Sequence, residues 1–255
     1  MVLAVYLDES VADSGRIMTV AGFVFRSDQA RRFSREWTKV LTAAKVPYAH
    51  MSESAHGNGV FKTMSLQERI DFNSRLIEHI KRRAIYGFSV SVMLEEYKRI
   101  VETDDNAPSA YAFCIMSCMK VLKSQNRKLS LNDPVALFLE AGFKDQANAD
   151  SVVSYLAALD SGAEDGLNYL SHTFVKKCCS PPTQAADMFA WHASKYIKDK
   201  RSVPRRDFRA LIRPKDVCLD LTETHLSDFR ALMDEDILNH RSLSDEAFRK
   251  VLDKR

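Results

Sequence analysis

Val2-Leu3-Ala4-Val5-Tyr6-Leu7-Asp8-Glu9-Ser10 opens the chain, an apolar and β-branched run that meets two adjacent carboxylates. Such a run reads as a buried strand, Leu3 to Asp8, that delivers its acids to the C-terminal edge of a sheet. A strand end is a rigid place to mount a metal ligand. The polar segment Val11 to Arg16, with Asp13 and Gly15, reads as a turn, and Ile17 to Phe25 as a second strand. An antiparallel hairpin therefore begins the fold.

Outward from the hairpin, Ala30, Phe33, Trp37, Val40, Leu41 and Ala44 repeat at helical spacing and predict a helix from Asp28 to Ala44. Tyr48 to Lys62 reads as a loop. Ser65-Leu66-Gln67-Glu68 is a capping box, and Ile70, Asn73, Ile77 and Ile80 continue its helix. Ile85 to Leu94 reads as a third strand. Pro108 opens a helix at its first position, carried on by Tyr111, Cys114, Ile115, Cys118 and Leu122. Asn132-Asp133-Pro134 marks a turn. Val135 to Glu140 is then a fully apolar strand that ends, like the first, in a carboxylate.

A helix over Asp145–Leu159, a fifth strand over Asn168–Lys176 and a helix over Thr183–Lys198 follow. After Pro204 the periodicity weakens, with a strand near Val217–Leu221 and a last helix over Asp245–Leu252. A hairpin followed by alternating strands and helices predicts an α/β fold, a mixed sheet flanked by helices. The helices of about 28–82 form an insertion between strands two and three. Residues 1–203 are expected to make the domain, with 204–255 a C-terminal extension packed on it.

The 255 residues suffice for one large domain, and 45% hydrophobic with 28% charged residues is ordinary for a soluble globular protein. No apolar stretch reaches the roughly 18 residues that span a bilayer. The first apolar run meets Asp8 too soon for a signal peptide, so no membrane and a cytoplasmic location are expected. Five cysteines form no CxxC pair. Cys114 and Cys118, one turn apart, read as small core residues; the adjacent Cys178 and Cys179 are open to a vicinal disulfide, with free thiols the favoured reading in a reducing compartment. Net charge is only +3, but Lys195 to Lys215 holds nine Lys or Arg and two Asp, a density that suits phosphate or a solvated basic face. No Gly-rich phosphate loop, G-x-S-x-G or H-E-x-x-H is present, which argues against P-loop hydrolysis, serine hydrolysis and zinc proteolysis.

The chemistry gathers on acids. Gln184-Ala185-Ala186-Asp187 puts a carboxylate in mid-helix beside Met188 and Trp191, where it is costly unless paired. A divalent cation offsets that cost. Asp8, Glu140 and Asp187 are therefore the expected metal ligands, and all-oxygen ligation suits Mg²⁺ or Mn²⁺. Two such ions about 4 Å apart activate water and stabilise the leaving oxygen in phosphodiester cleavage. Glu9 has the opposite strand parity and reads as a solvent-side partner that orients a metal-bound water. The plain alternative for Asp8 and Glu140 is a turn or cap role at a strand end.

Around them, Ser10 reads as a ligand contact or a turn cap. His50, Glu53 and His56 recur at three-residue intervals, a poor zinc set, but His50 can reach the acids as a substrate contact or proton carrier. Lys176 and Lys177 end the fifth strand, where a lysine can stabilise phosphate charge. Gln184 is expected to position Asp187 or a phosphate. Lys195, Arg205, Arg206 and Arg209 are expected to contact a nucleic-acid backbone, and His192 to pack.

Tyr6-Leu7-Asp8-Glu9-Ser10, Ala21-Gly22-Phe23-Val24 and Gln184-Ala185-Ala186-Asp187-Met188 together resemble the family catalogued as domain of unknown function 3800. The element order resembles the RNase H-like fold. The resemblance covers roughly residues 2 to 200. It implies an RNase H-like core and a metal-dependent nuclease acting on DNA or RNA, often associated with mobile or defence elements. Asp8 and Asp187 match best, Glu9 and Gln184 belong to the same motifs, and Glu140 matches by its place on a strand. Val11 stands where the family has glycine, and Gly15 follows four residues later, so the first turn is longer here. Two other readings remain open: a non-catalytic interaction module on this scaffold, and a nuclease effector that needs a protein partner.

Overall fold

The structure is a computed structural model and describes residues 1–12, 15–103, 107–160, 166–198 and 204–239. In chain order the elements are β1 (Leu3–Ala12), β2 (Ile17–Arg26), α1 (Ser27–Ala44), α2 (Met51–His56), α3 (Leu66–Arg83), β3 (Tyr86–Met93) and α4 (Leu94–Ile100). They continue with α5 (Ala110–Lys128), β4 (Val135–Glu140), α6 (Gln146–Asp160), β5 (Tyr169–Val175), α7 (Pro181–Lys198), α8 (Arg206–Leu211), β6 (Val217–Leu221) and α9 (Glu223–Asn239). Short 3₁₀ turns lie at Gly59–Phe61 and Lys177–Cys179.

The strands form one mixed sheet in the order β5-β4-β1-β2-β3-β6. β1, β2 and β3 run antiparallel in sequence, while β4 lies parallel to β1, β5 parallel to β4 and β6 parallel to β3. Helices cover both faces, giving an α/β fold of three layers. Alternation divides the strands between two cores. Leu3, Val5 and Leu7 face α5, α6, α9 and Tyr97 of α4 in one cluster. Ala4, Tyr6, Ala21, Phe23 and Phe25 face α1, α3, α7 and α8 in the other. Asp8 continues the parity of Ala4 and Tyr6, so it belongs to the second face.

Helix α7 lies close on that face. Phe189 stacks on Phe23 with ring centroids 5.1 Å apart. Gly87 of β3 makes this possible, because a Cβ there would lie 2.6 Å from the Phe23 ring and 2.7 Å from the Phe189 ring. The helices between β2 and β3 are α1, α2 and α3, with the Ser65–Glu68 capping box present at α3.

Several elements differ from expectation. β1 runs to Ala12, paired with β2 as far as Ala12↔Ile17, so Asp8 and Glu9 lie within the strand. The parallel pairing with β4 nevertheless stops at Leu7↔Leu139, and the acids follow the last pair. Gly15, just before β2, has φ 90°. Tyr48–Lys62 is not a loop throughout: it contains α2 and the 3₁₀ turn Gly59–Phe61. Pro108 precedes α5, whose cap is Ser109, its hydroxyl accepting the Ala112 N–H. α4, α8 and α9 were not expected, and β6 joins the sheet edge beside β3. The helix expected over Asp245–Leu252 lies outside the described residues. No helix among the described residues is long and apolar enough to cross a membrane.

Candidate functional site

The register of the parallel strands brings two acids together. Leu7 of β1 pairs with Leu139 of β4, so Asp8 and Glu140 are the next residues on neighbouring strands, with side chains of matching parity. α7 crosses this end of the sheet and adds Asp187 from above. Into the space between them reaches Lys177, from the 3₁₀ turn that links β5 to α7. Its Nζ is 3.0 Å from Asp8 Oδ2, 3.0 Å from Glu140 Oε2 and 3.0 Å from Asp187 Oδ1. Three carboxylates from three elements thus surround one point, and an ammonium fills it.

Glu9 joins them despite its opposite parity. Carboxylate oxygens of Asp8, Glu9 and Glu140 all lie within 4.8 Å of one another. Burial pushes Glu9 up to about 7, and the charge of Glu140 adds to the shift. Asp8 is only 2% exposed. Burial raises it well above the usual carboxylate range, the neighbouring Glu140 adds to that, and Lys177 opposes it. For Lys177, burial alone would favour the neutral amine, but the three carboxylates outweigh it and the ammonium is held above its ordinary value.

The hydrogen bonds are unevenly shared. Asp8 Oδ1 accepts the Glu9 N–H at 2.8 Å, and Asp187 accepts from Lys177 at 3.0 Å. Asp8 Oδ2 and Glu9 Oε2 are buried and accept no hydrogen bond. The Lys177–Asp8 contact is therefore an ion pair without hydrogen-bond alignment. One cation facing four carboxyl groups leaves the centre short of positive charge, which is expensive in a buried place.

Asp187 is tied to the α1–α3 side. Its Oδ2 accepts the Met51 N–H at 2.6 Å, at the first turn of α2. An acid at a helix start is electrostatically favoured. His50, just before that turn, has Nε2 3.7 Å from Asp187 Oδ1 and Nδ1 3.2 Å from Glu53 Oε1. Glu53 also accepts from Tyr48 and from the Val60 N–H. His50 thus stands at the rim of the centre with a second carboxylate behind it. His56 turns back to the Ser52 carbonyl, so the three-residue repeat does not converge.

Gln184 is buried and spent on structure. Its Oε1 accepts from Trp37 Nε1 at 2.8 Å and the Ala49 N–H at 2.9 Å, and its Nε2 donates to the Lys177 carbonyl at 3.1 Å. It pins the strand-to-helix turn and the segment before α2 to each other, and cannot also reach a phosphate. Ser10 is half-buried on β1, opposite Thr19. Lys176 is exposed, and the neighbouring Lys177 is the lysine that enters the centre. Lys195 and Arg205 flank the Trp191 ring, at 5.7 Å and 5.5 Å from its centroid. Arg206 is exposed on α8. Lys195 lies eight residues beyond Asp187, about 12 Å along the helix. His192 is buried, stacks on Phe208 and has neither ring nitrogen paired.

Of the two lysines that the sequence offered after the fifth strand, Lys177 is the one among the acids, where it pairs with the carboxylates themselves. The support that Trp37 gives through Gln184, and Glu53 through His50, carried no signal in the sequence. No known family model matches the chain, and no curated protein matches it.

Proposed function

We propose that this chain is a divalent-cation-dependent phosphodiesterase acting on nucleic acid, with Mg²⁺ or Mn²⁺ held by Asp8, Glu140 and Asp187. One observation carries the reading: oxygens of these three acids stand 3.0 Å from a single point already filled by a cation. Hard divalent ions favour such oxygen sets. Glu9 Oε2 accepts no hydrogen bond and Asp8 Oδ2 meets only the Lys177 ammonium off hydrogen-bond alignment, so both keep lone pairs for a cation. A hairpin followed by parallel strands, with acids on the first strand, a later strand and a late helix, supports the RNase H-like reading of the fold.

When bound, the metal would polarise the phosphoryl oxygen and acidify water. The remaining work falls to side chains. Glu9, whose carboxylate oxygens lie beside those of Asp8 and Glu140, is placed to take a proton from attacking water. Lys177, displaced from the centre, stays on the adjoining turn and can neutralise charge on the phosphate. His50, backed by Glu53, can protonate the leaving oxygen. Lys195, Arg205 and Arg206 can hold flanking phosphates.

A second reading rests on the same lysine. An ammonium that already fills the centre also suits a closed, non-catalytic interaction module. Single- and double-stranded DNA and RNA, incubated with wild type and Asp8→Asn in Mn²⁺ or Mg²⁺, decide between them. The nuclease reading expects metal-dependent cleavage that Asp8→Asn abolishes. No cleavage of any substrate at either metal puts the interaction module first.

A further inference from the structure

Cys178 and Cys179 are free, exposed and adjacent, with sulfurs 3.3 Å apart. They share the single 3₁₀ turn that carries Lys177. That turn is held by the Cys179 N–H to the Lys176 carbonyl at 3.0 Å and the Ser180 N–H to the Lys177 carbonyl at 3.1 Å. Gln184 anchors the same Lys177 carbonyl. Phosphodiester chemistry uses neither thiol.

We propose that Cys178 and Cys179 form an oxidisable dithiol site whose closure withdraws Lys177 from the carboxylate centre and opens it to a divalent cation. The second half of this proposal rests on the metal reading above.

The oxidant is a low-molecular-weight disulfide such as glutathione disulfide. The thiolate of Cys178 attacks it, forming a mixed disulfide and expelling one glutathione thiolate. The thiolate of Cys179 then attacks the Cys178 sulfur and expels the second. The two protein thiol protons end on the two released glutathiones, so one disulfide is reduced as one is formed. Adjacency places the Cys179 sulfur beside the mixed disulfide for the second, resolving step.

Ring closure is geometrically demanding. Consecutive Cα atoms lie about 3.8 Å apart, whereas bridged cysteines usually span about 4.4–6.8 Å. Drawing the sulfurs from 3.3 Å to bonding distance therefore works against the 3₁₀ turn and its Cys179-to-Lys176 hydrogen bond. Lys177 is the first residue of that turn and moves with it. A disulfide closed under such constraint is readily reduced again, as regulatory disulfides are. A trivalent arsenical bridges two thiols without joining them, so it occupies the site and leaves the turn in place.

The full-length chain is equilibrated in glutathione redox buffers and, separately, with phenylarsine oxide. Intact mass and thiol counts are followed in wild type, Cys178→Ser, Cys179→Ser and Cys218→Ser. Wild type and Cys218→Ser should each lose two hydrogens on oxidation and bind one arsenical, and the other two variants should do neither. Oxidation should expose Lys177 to amine acetylation and raise Mn²⁺ affinity about tenfold, while the arsenical changes neither. Absence of the disulfide and of one-to-one arsenical binding overturns the site. An oxidised protein with Lys177 still protected overturns the coupling. Lys177 exposed on oxidation, with no Mn²⁺ bound in either form, upholds the dithiol switch and overturns the metal reading.

Discussion

Lys177 Nζ and Asp8 Oδ2 meet at 3.0 Å, although one follows the fifth strand of the sheet and the other lies on its first. The contact is an ion pair off hydrogen-bond alignment, since Asp8 Oδ2 accepts no hydrogen bond. The lysine therefore neutralises the acid without saturating it. Glu140 and Asp187 share the same ammonium, so one side chain compensates three carboxylates. Removing the lysine and adding a metal become two sides of one charge balance.

Lys177→Met removes that compensation. Breaking a buried ion pair from one side costs about 3–5 kcal/mol, so the metal-free variant should lose stability of that order and melt at a lower temperature. Mn²⁺ at about a hundredfold over its dissociation constant returns about 2.7 kcal/mol by mass action. Thermal unfolding with and without Mn²⁺ checks this: recovery of the variant is expected, and a melting temperature indifferent to Mn²⁺ would count against the shared locus.

Two buried groups give the metal-free protein opposing pH dependences. Glu9 titrates at about 7 in the folded chain against 4.5 when exposed, so the folded state holds the extra proton between those values. Its contribution is complete below pH 4.5 and is lost as pH rises to about 7. Burial lowers His192 to about 4 from 6.5, so its contribution is complete above 6.5 and is lost as pH falls towards 4. Each amounts to roughly 3 kcal/mol. Denaturant titrations between pH 4 and pH 7.5 should show Glu9→Gln gaining stability with pH relative to wild type, and His192→Phe losing it.

Gln184→Ala leaves the Trp37 N–H and the Ala49 N–H without their partner, and the Lys177 carbonyl with only the Ser180 N–H. Unpaired buried groups cost about 1–3 kcal/mol each, before relaxation. The turn carrying Lys177 and the segment carrying His50 lose their common anchor. Urea unfolding should show a loss of about 3 kcal/mol, and Mn²⁺ titration a weaker site. Unchanged affinity would mean that Gln184 does not position the centre.

Gly87→Ala acts from a distance. The new methyl meets the Phe23 and Phe189 rings at 2.6 Å and 2.7 Å, so one or both rings must shift, and Phe189 carries α7 with it if the helix moves. Overpacking of this kind costs about 1–3 kcal/mol. Because Asp187 rides on the same helix, the variant should lose Mn²⁺ affinity along with stability, while a stability loss alone would show that α7 adjusts locally.

The sheet and most helices were legible because period and β-branching are local properties. Asp8 and Asp187 stood out because a carboxylate amid apolar neighbours needs a partner. α2 was not legible: it has six residues, and the Met51 N–H is satisfied by Asp187, far along the chain. A cap supplied across the fold leaves no local signature, and isolated short helices are marginal. α9 did carry a signal, since Leu226, Phe229 and Met233 are buried at helical spacing. Lys177 rather than Lys176 enters the centre because Val175 pairs with Glu140, so the residue two beyond it keeps the face of Glu140, a register that the sequence alone does not print. Gln184 shows the reverse case, a motif residue whose polar groups turn inward to hold the scaffold.

The most direct test is calorimetric titration of Mn²⁺ into wild type, Asp8→Asn and Asp187→Asn at neutral pH. A saturable site in wild type that both variants lose is the predicted result. Equal heats from all three proteins, or no specific binding to wild type, would contradict a metal centre at Asp8, Glu140 and Asp187.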